Sequence, residues 1–273
     1  MIRVVIVFFV AFLFCSEKNI HTFKNNINEG YSVKYKQDNI MTFEIPGMGE
    51  VRQGGNRVQH LEYLGKQGEF FLVRSTLSKI TSINVLGDKV KSDYDSHIIN
   101  NIPCLLYIDM NGDIDHLEAE QEYMEDIFKT EYMSLSIANY IYPFGKNAVD
   151  VSIGDSWIEA KDSIPIFLDD SGAESKMSIS STYTLDKIKN KKGINIAYIS
   201  EISTVNCEFI MSINGEYMEG LQTGTFNSAY RFDIDNGELI RDSTSGKTLG
   251  ELTWTDVSFT THTYFSSSVK KMK

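Results

Sequence analysis

The chain has little cysteine. Only three of its 273 residues are cysteines, Cys15, Cys104 and Cys207, which excludes a small fold held together by several disulfides. In an oxidising compartment Cys104 and Cys207 could form one disulfide. Both lie within or beside apolar runs, however, and this favours two buried free thiols.

Sequence motifs for catalysis and metal binding are also lacking. No Gly-x-Ser-x-Gly motif occurs, and the five histidines are scattered without a pair at metal-ligand spacing. Two acidic segments, 109–113 and 233–238, resemble calcium loops, but neither has Gly at the sixth loop position, so both are interpreted as turns. The sequence therefore predicts a non-enzymatic protein with no catalytic residue, metal ligand or cofactor. A hydrolase with a site assembled from distant residues is the last-ranked alternative.

Positive charge is scarce. The chain has 26 Lys and Arg against 37 Asp and Glu, which gives a formal net charge of −11 and a pI near 5.0. Nucleic acids and anionic membranes bind basic faces, so the composition argues against both as partners. Hydrophobic residues make up 42% of the chain, which is enough to bury a substantial core.

A single long apolar run is present, Val4–Phe14, between Arg3 and Cys15. It is too short to span a bilayer, which takes about 20 apolar residues. One positive charge, a short apolar stretch and then polar sequence are typical of a bacterial export signal. Residues 1–15 are therefore predicted to be a signal peptide of an exported protein.

Cys15 occupies the position of the lipidated cysteine in bacterial lipoproteins. The preceding Phe12-Leu13-Phe14 fits the lipobox poorly, because its last position is normally Gly, Ala or Ser, yet no ordinary cleavage site lies nearby either. Two alternatives follow. Either the protein is anchored through Cys15 in the periplasm or at the outer membrane, with the lipid as its only membrane contact, or it is secreted.

Period-two alternation dominates the rest of the chain. Segment 177–185 has apolar residues at 177, 179, 183 and 185, with Ser or Thr at every even position from 178 to 184, and 230–234 and 257–265 also alternate. Such a pattern is typical of strands with one face on a core and one in water. Asn-Gly pairs at 111–112, 214–215 and 236–237 favour hairpins. The sequence therefore predicts a mainly β fold of antiparallel sheets.

Two halves of the chain look alike, residues 16–115 and residues 143–273, the second of which begins with a turn-rich connector. Gly68 and Gly193 lie 125 positions apart in similar hairpins, and so do Gly112 and Gly237. The common offset favours an internal duplication. The alternative is that the hairpins share only turn chemistry. An open half-barrel is one arrangement of two such halves.

One long linking helix is predicted between the halves, at residues 116–142. Apolar residues from Leu117 to Ala138 recur at spacings of three to four, as on one face of a helix. Acidic residues crowd the first half of this segment, where the helix dipole favours those nearest the start. Pro143 and Gly145 would end the helix.

Aromatic residues, 12% of the chain, provide the candidate binding site. Many lie in predicted strands that could face a shared cavity, and a concave sheet lined with rings could hold an acyl chain. The alternative is that they fill an ordinary dry core. The predicted ligand-binding residues are Phe43, Phe70, Tyr183, Tyr198, Tyr230 and Phe232, and Met41, Phe71, Phe259 and Phe265 are further candidates.

Two hypotheses of function result. The first is an exported envelope protein that binds a lipid or another hydrophobic or amphipathic ligand between sheet and helix. The second is a structural or adaptor envelope lipoprotein with a dry core, which acts through envelope protein partners.

Residues 151–157, Val-Ser-Ile-Gly-Asp-Ser-Trp, resemble a Val-x-x-Gly-Asp-x-Trp segment of uncharacterised bacterial envelope lipoproteins. In those proteins the segment introduces a β-rich half with a strand like Thr182-Tyr183-Thr184-Leu185. The resemblance covers residues 140–198 and implies an envelope lipoprotein without a known activity. More distantly, a lipidated β-rich chain with one covering helix is similar to the LolA/LppX class of lipoprotein carriers, whose open half-barrel holds lipid. That analogy concerns the fold alone.

Overall fold

The computed structural model describes residues 20–26, 28–45, 49–86, 89–94, 100–110, 114–123, 143–145, 147–148, 150–166, 175–213, 216–254 and 257–273. Twelve strands form within these residues. The strands are β1 (Ser32–Ile45), β2 (Gly49–Gln67), β3 (Phe70–Leu86), β4 (Lys89–Tyr94), β5 (Pro103–Ile108), β6 (Ile114–Glu118), β7 (Ser156–Ile166), β8 (Ser175–Lys191), β9 (Ile194–Ile213), β10 (Glu216–Asp233), β11 (Glu238–Trp254) and β12 (Val257–Lys271).

All twelve strands belong to one antiparallel sheet, which confirms the predicted fold class. The strand order is β6-β5-β3-β2-β1-β12-β11-β10-β9-β8-β7, and β4 pairs with the far end of β3. The two predicted halves are thus joined edge to edge, because the first strand pairs with the last over Tyr35–Glu44 and His262–Lys271. Within the described residues the sheet is open, with β7 at one edge and with β6 and, at the rim end of β3, β4 at the other.

The alternating segments become strands for the expected reason. On β8, Ser181 and Leu185 are buried on one face, while Thr182 on the other face is exposed. We call the face that carries the buried residues Leu61, Ile199 and Phe232 the inner face, and the opposite one the outer face.

The strands run between two ends of the sheet. At one end, here called the base, short turns at 68–69, 192–193 and 234–237 join neighbouring strands. The other end, the rim, is where β1 ends at Ile45 and β2 begins at Gly49. Most buried hydrophobic side chains lie in the base half of the inner face, where they form one cluster.

Two connecting segments cover this inner face at the base. Residues 20–31 precede β1, residues 143–155 precede β7, and the two meet in the bridge between His21 and Val151. Phe23 from the first segment and Phe144 from the second are fully buried. The N–H of Phe23 donates to the carbonyl of Ala148 at 3.0 Å, so the segments are paired where their rings enter the core.

The predicted linking helix is not present in the described residues. His116–Glu118 belong to β6, where His116 pairs with Tyr107 of β5, and only one 3-10 turn follows at Gln121–Tyr123. The periodicity places Leu117 on the face of a helix, but in the structure its side chain is buried as part of β6. Residues 124–142 lie outside the described residues, as do the signal segment and Cys15.

The turns that suggested duplication differ in detail. Gly68 is the first of the two residues between β2 and β3, whereas Gly193 is the second of the two between β8 and β9. Both have positive φ angles, 61° and 84°. The offset of 125 therefore shifts one turn against the other by a residue, and the duplication stays a prediction. Gly112 lies outside the described residues.

Candidate ligand site on the inner face

An aromatic cluster fills the inner face at the base, and it contains three of the six predicted ligand-binding residues. The ring of Phe144 lies 5.1 Å from that of Tyr230, 5.5 Å from that of Phe232 and 6.0 Å from that of Tyr183. Phe23 adds an edge-on contact with Phe232 at 5.9 Å. The structure brings these predicted residues together, but their rings pack against Phe23 and Phe144 from the covering segments.

The Val-x-x-Gly-Asp-x-Trp segment contacts this cluster and holds it in place. The indole N–H of Trp157 donates to the carbonyl of Phe144 at 2.8 Å, and the Trp157 ring stacks on that of Tyr183 at 5.6 Å. Asp155 accepts from the backbone N–H of Ser152 at 3.0 Å and so holds the turn before β7. Gly154 adopts a φ of 89° in this turn, which Gly does at little cost. The motif residues thus position β7 and the connector.

The other three predicted residues lie elsewhere. Phe70 packs edge-on against Tyr107 and His116, whose rings stack at 4.0 Å. Tyr198 is on the outer face among cations, and Phe43 is half-buried on the inner face near the rim. Their role in binding stays a prediction, but one shared surface does not contain all six.

Above the aromatic cluster, a polar row crosses the inner face. Glu201 is buried and accepts hydrogen bonds from the hydroxyls of Tyr230 and Ser203, the latter at 2.5 Å. On the neighbouring strands, Thr244 donates to Ser228 at 2.9 Å or to Asp242 at 3.2 Å. Most of the polar side chains in this row therefore form hydrogen bonds with one another.

Burial sets the ionisation of this row. Desolvation, followed by the charge of Glu201, raises the pKa of Asp242 to about 7, although the hydrogen bond from Thr244 lowers it. Desolvation also raises the pKa of Tyr183 and of Tyr230, with the nearby carboxylates adding to the effect. Both tyrosines stay protonated at neutral pH and act as hydrogen-bond donors, which makes them unsuitable as bases or nucleophiles.

A second buried carboxylate, Glu238, stands at the base. It accepts from the hydroxyl of Tyr31 and pairs with Lys271 near the end of β12. Burial is the largest cause that raises the pKa of Tyr35 and of Tyr63, which lie beside Glu238, and the charge of Glu238 adds to the effect. This group joins the first segment to the last strand and has a structural role.

On the rim side of the polar row, the inner face turns apolar but is only half-buried. Phe226, Gly246, Phe265 and Met41 follow one another across β10, β11, β12 and β1. The rings of Phe226 and Phe265 meet edge-on at 5.8 Å, over the glycine between them. Further towards the rim, Leu252 packs with Cys207 and Phe259. We call these seven residues the rim-side apolar surface.

Three threonine hydroxyls lie beside this surface. Thr248 and Thr263 are directly opposite each other on β11 and β12, and Thr261 is the next inward residue of β12. Thr261 and Thr263 are buried, and none of the three hydroxyls has a hydrogen-bond partner within the described residues. A buried hydroxyl without a partner costs about 1–3 kcal/mol, so this trio is an energetically unfavourable group next to an apolar surface.

Cys104 and Cys207 do not form a disulfide. Cys104 is buried in β5 and Cys207 is half-buried in β9, and burial raises the pKa of Cys207. In the part of the chain that the structure describes, no three His, Cys, Asp or Glu residues cluster as metal ligands. The carboxylate of Asp233 accepts from the backbone and side-chain N–H groups of Asn236, so segment 233–238 is a turn.

Comparisons with known proteins add little. No protein-family model and no curated protein matches the chain. Among solved structures it is similar to a loop-deletion mutant of OmpT, an outer membrane protein of Vibrio cholerae, with 8% identity over 90% of this chain and 100% of that one and a TM-score of 0.25. OccK2 (OpdF) of Pseudomonas aeruginosa has 6% identity over 91% and 99%, with a TM-score of 0.23. TM-scores this low carry no argument about fold or function. No helix among the described residues is long and apolar enough to cross a membrane.

Sequence reasoning missed Phe226 and the three threonines. Phe226 sits between Thr225 and Asn227, so its alternation signal was present. What the sequence lacked was the register that places Phe226, Phe265 and Met41 in one row, because those residues come from strands far apart in the chain. Gly246, which makes room for the ring of Phe226, could not be recognised from the sequence without knowledge of its neighbours.

Proposed function

We propose that the chain is an exported envelope protein, without catalytic activity, that binds a hydrophobic or amphipathic ligand on the rim-side apolar surface. The observation that carries this proposal is the half-buried row of Phe226, Phe265 and Met41 on the inner face. Aromatic and thioether side chains are the usual lining of sites for apolar ligands.

The neighbouring hydroxyls favour an amphipathic ligand. A polar ligand group lying over Thr248 and Thr263 could hydrogen-bond to their hydroxyls once these rotate toward it, which would recover the cost of their burial. Asp242 and Glu201 lie further down the same face and disfavour a negatively charged group. A neutral or positively charged head group with an acyl or ring system therefore fits this surface best.

Binding can be tested with N-phenyl-1-naphthylamine, a neutral fluorophore that brightens in apolar surroundings. Phe265→Ala removes a ring of the proposed site, and Tyr264→Ala removes the neighbouring ring on the outer face of the same strand. Saturable binding that Phe265→Ala weakens about tenfold, and that Tyr264→Ala leaves unchanged, would support the proposal; the loss expected for one buried ring is of this size or larger.

Native mass spectrometry of the protein purified from an envelope fraction provides the second readout. A reproducible non-covalent adduct of lipid mass would identify the ligand class. A clean mass together with no saturable fluorophore binding would refute the ligand-binding proposal.

Export and anchoring form a separate part of the proposal, supported by the apolar run at Val4–Phe14 and by the resemblance to envelope lipoproteins. Mass analysis of the mature protein tests it directly. A diacylglycerol-type mass that disappears in Cys15→Ser would establish the anchor at Cys15. An intact Met1 at the start of the recovered protein would contradict export through a cleaved signal.

The adaptor function is the second candidate, and an outer-face feature favours it. A groove of about 510 Å³ crosses β9–β12, and apolar side chains stand exposed around it, among them Leu221 and Leu249. Groove residues include Thr204, Thr223, Thr225, Lys247 and His262. A photo-crosslinker at Leu249 that captures one defined envelope protein, in a protein that binds no fluorophore, would favour this candidate over the first.

A further inference from the structure

One cross-strand row on the outer face consists almost entirely of cations. It crosses six adjacent strands, β8, β9, β10, β11, β12 and β1, close to the base. The members, in strand order, are Lys187, Tyr198, Arg231, Arg241, Lys270 and Lys36. All except the half-buried Tyr198 are exposed. We call this the basic row.

Its arrangement is unfavourable for the isolated protein. Arg231 is directly opposite Arg241, Arg241 is opposite Lys270, and Lys270 is opposite Lys36. Like charges at directly opposed positions of a sheet destabilise it. The whole chain carries a net charge of −11, so its composition does not account for this concentration of cations. An anionic partner would offset the repulsion.

Tyr198 extends the row toward β8. Lys187 Nζ lies 5.1 Å, Lys189 Nζ 5.9 Å and Arg231 Cζ 5.6 Å from the centre of its ring. Desolvation would raise the pKa of Tyr198, but the hydrogen bond with Lys191 and the surrounding charges lower it. The lowered pKa reflects a locally positive potential, in agreement with the geometry.

The length of the basic row suits contact with an extended surface. Neighbouring strands are about 4.8 Å apart, so six strands span about 24 Å, which is far longer than a site for one phosphate. It is also next to the N-terminal segment. Arg231 and Arg241 flank the base turn 234–237, and the N–H of Asn26 donates to the carbonyl of Gly237 at 2.7 Å. Cys15 is five residues before the exposed Ile20, within about 18 Å along an extended chain.

We propose that the basic row docks the protein, base first, on a membrane surface that contains anionic phospholipid. Clustered Lys and Arg side chains bind such surfaces through many weak and salt-sensitive contacts. The proposal is independent of any ligand on the inner face. It also revises the argument from net charge, because many acidic residues, such as Glu208 and Glu251, lie near the rim and away from the row. At the β1 end of the row, Lys36 pairs with Asp38 at 3.1 Å, so the like-charge repulsion is concentrated at Arg231, Arg241 and Lys270.

The test compares the full chain on vesicles of phosphatidylcholine with vesicles of equal parts phosphatidylcholine and phosphatidylglycerol. The variant Arg231→Gln/Arg241→Gln/Lys270→Gln neutralises the row. The matched control Arg52→Gln/Lys79→Gln/Lys176→Gln removes the same charge from exposed positions outside the row. All three proteins keep the apolar run Val4–Phe14, which could itself bind lipid. The ratio of binding to the two vesicle types therefore isolates the electrostatic contribution.

We expect anionic lipid to increase binding of the unchanged protein, and the row variant to lose about tenfold or more of that increase. The control should lose less than about twofold, and high salt should abolish the increase. Equal losses in variant and control, or no dependence on anionic lipid, would overturn the proposal. Binding to soluble heparin without binding to anionic vesicles would also overturn it and would assign the row to a soluble polyanion. The salt dependence of the unchanged protein remains decisive if the variant does not fold.

Discussion

The ring of Phe226 on β10 lies directly over Gly246 on β11. A Cβ atom at position 246 would be 2.4 Å from Cδ1 of Phe226 and 2.6 Å from the carbonyl oxygen of Thr225. Glycine is therefore required here so that the ring can cross its neighbouring strand and meet Phe265. The same contact places an aromatic surface on the rim half of the inner face.

Gly246→Ala should destabilise the protein by about 1–3 kcal/mol, because the extra methyl group has no space. It should also weaken fluorophore binding by displacing Phe226. Urea unfolding measures the first effect, and Ser245→Ala, an exposed position on the outer face of the same strand, is the control. If both variants unfold at the same urea concentration, Phe226 does not occupy this position.

Trp157→Phe should cost about 1–3 kcal/mol, because it leaves the carbonyl of Phe144 buried without its donor. The aromatic packing with Tyr183 would be largely kept. Ile158→Ala changes the next residue, whose side chain is exposed, and should stay within about 0.5 kcal/mol of the parent. Thermal and urea unfolding check both. A Trp157→Phe protein as stable as the parent would show that the connector is not fixed by this hydrogen bond.

The strands could be predicted because alternation is a local signal. Segment 177–185 and segment 257–265 became parts of β8 and β12, and each buries one face as expected. Leu117 shows the limit of the same kind of reasoning. Its spacing to later apolar residues suits a helix, but pairing of β6 with β5 buries it more directly. Strand pairing is a tertiary effect that periodicity does not report.

The site was less predictable, for a related reason. Tyr183, Tyr230 and Phe232 come together on the inner face, but Phe23 and Phe144 pack against their rings, and both come from segments without a strand signal. The net charge of the whole chain likewise gives no indication of the basic row. A value of −11 describes the whole chain, whereas Arg231 and Arg241 become neighbours only through strand register.

Asp242 should make the stability of the protein depend on pH. Its pKa of about 7 in the folded state lies above the ordinary value of 3.8, so the folded state binds more protons between these limits. The stabilisation that comes from protonation of Asp242 in the folded state is therefore fully present below about pH 4 and is lost as the pH rises through 7. A difference of about three pKa units corresponds to at most roughly 4 kcal/mol.

Asp242→Asn removes the titration and keeps an acceptor for Thr244. Relative to the parent protein, we expect it to gain stability at pH 8 by on the order of a few kcal/mol and to gain little at pH 4. Urea unfolding across this range gives the comparison. Asp235→Asn is the control, because Asp235 is exposed and backbone and side-chain hydrogen bonds from Asn195 lower its pKa. A constant difference between Asp242→Asn and the parent at all pH values would contradict the shift.

Alanine substitutions at Gly237 and Gly193 distinguish the effect of backbone strain from the effect of displacing the N-terminal segment, residues 20–31. Both glycines adopt positive φ angles, 62° and 84°, so alanine is strained at either position. A Cβ at Gly193 meets nothing within 4 Å, whereas one at Gly237 would lie 2.7 Å from the carbonyl oxygen of Lys24. Only Gly237→Ala should therefore displace the segment that leads toward Cys15.

Limited trypsin digestion measures this displacement at Lys24. We expect faster cleavage after Lys24 in Gly237→Ala than in Gly193→Ala, although both should lose about 1 kcal/mol or more of stability from the strained backbone. Gly237→Ala should also reduce binding to anionic vesicles if the segment and the basic row approach the membrane together. Equal cleavage in the two variants would mean that residues 24–26 are held elsewhere, and the base-first orientation would then rest on the basic row alone.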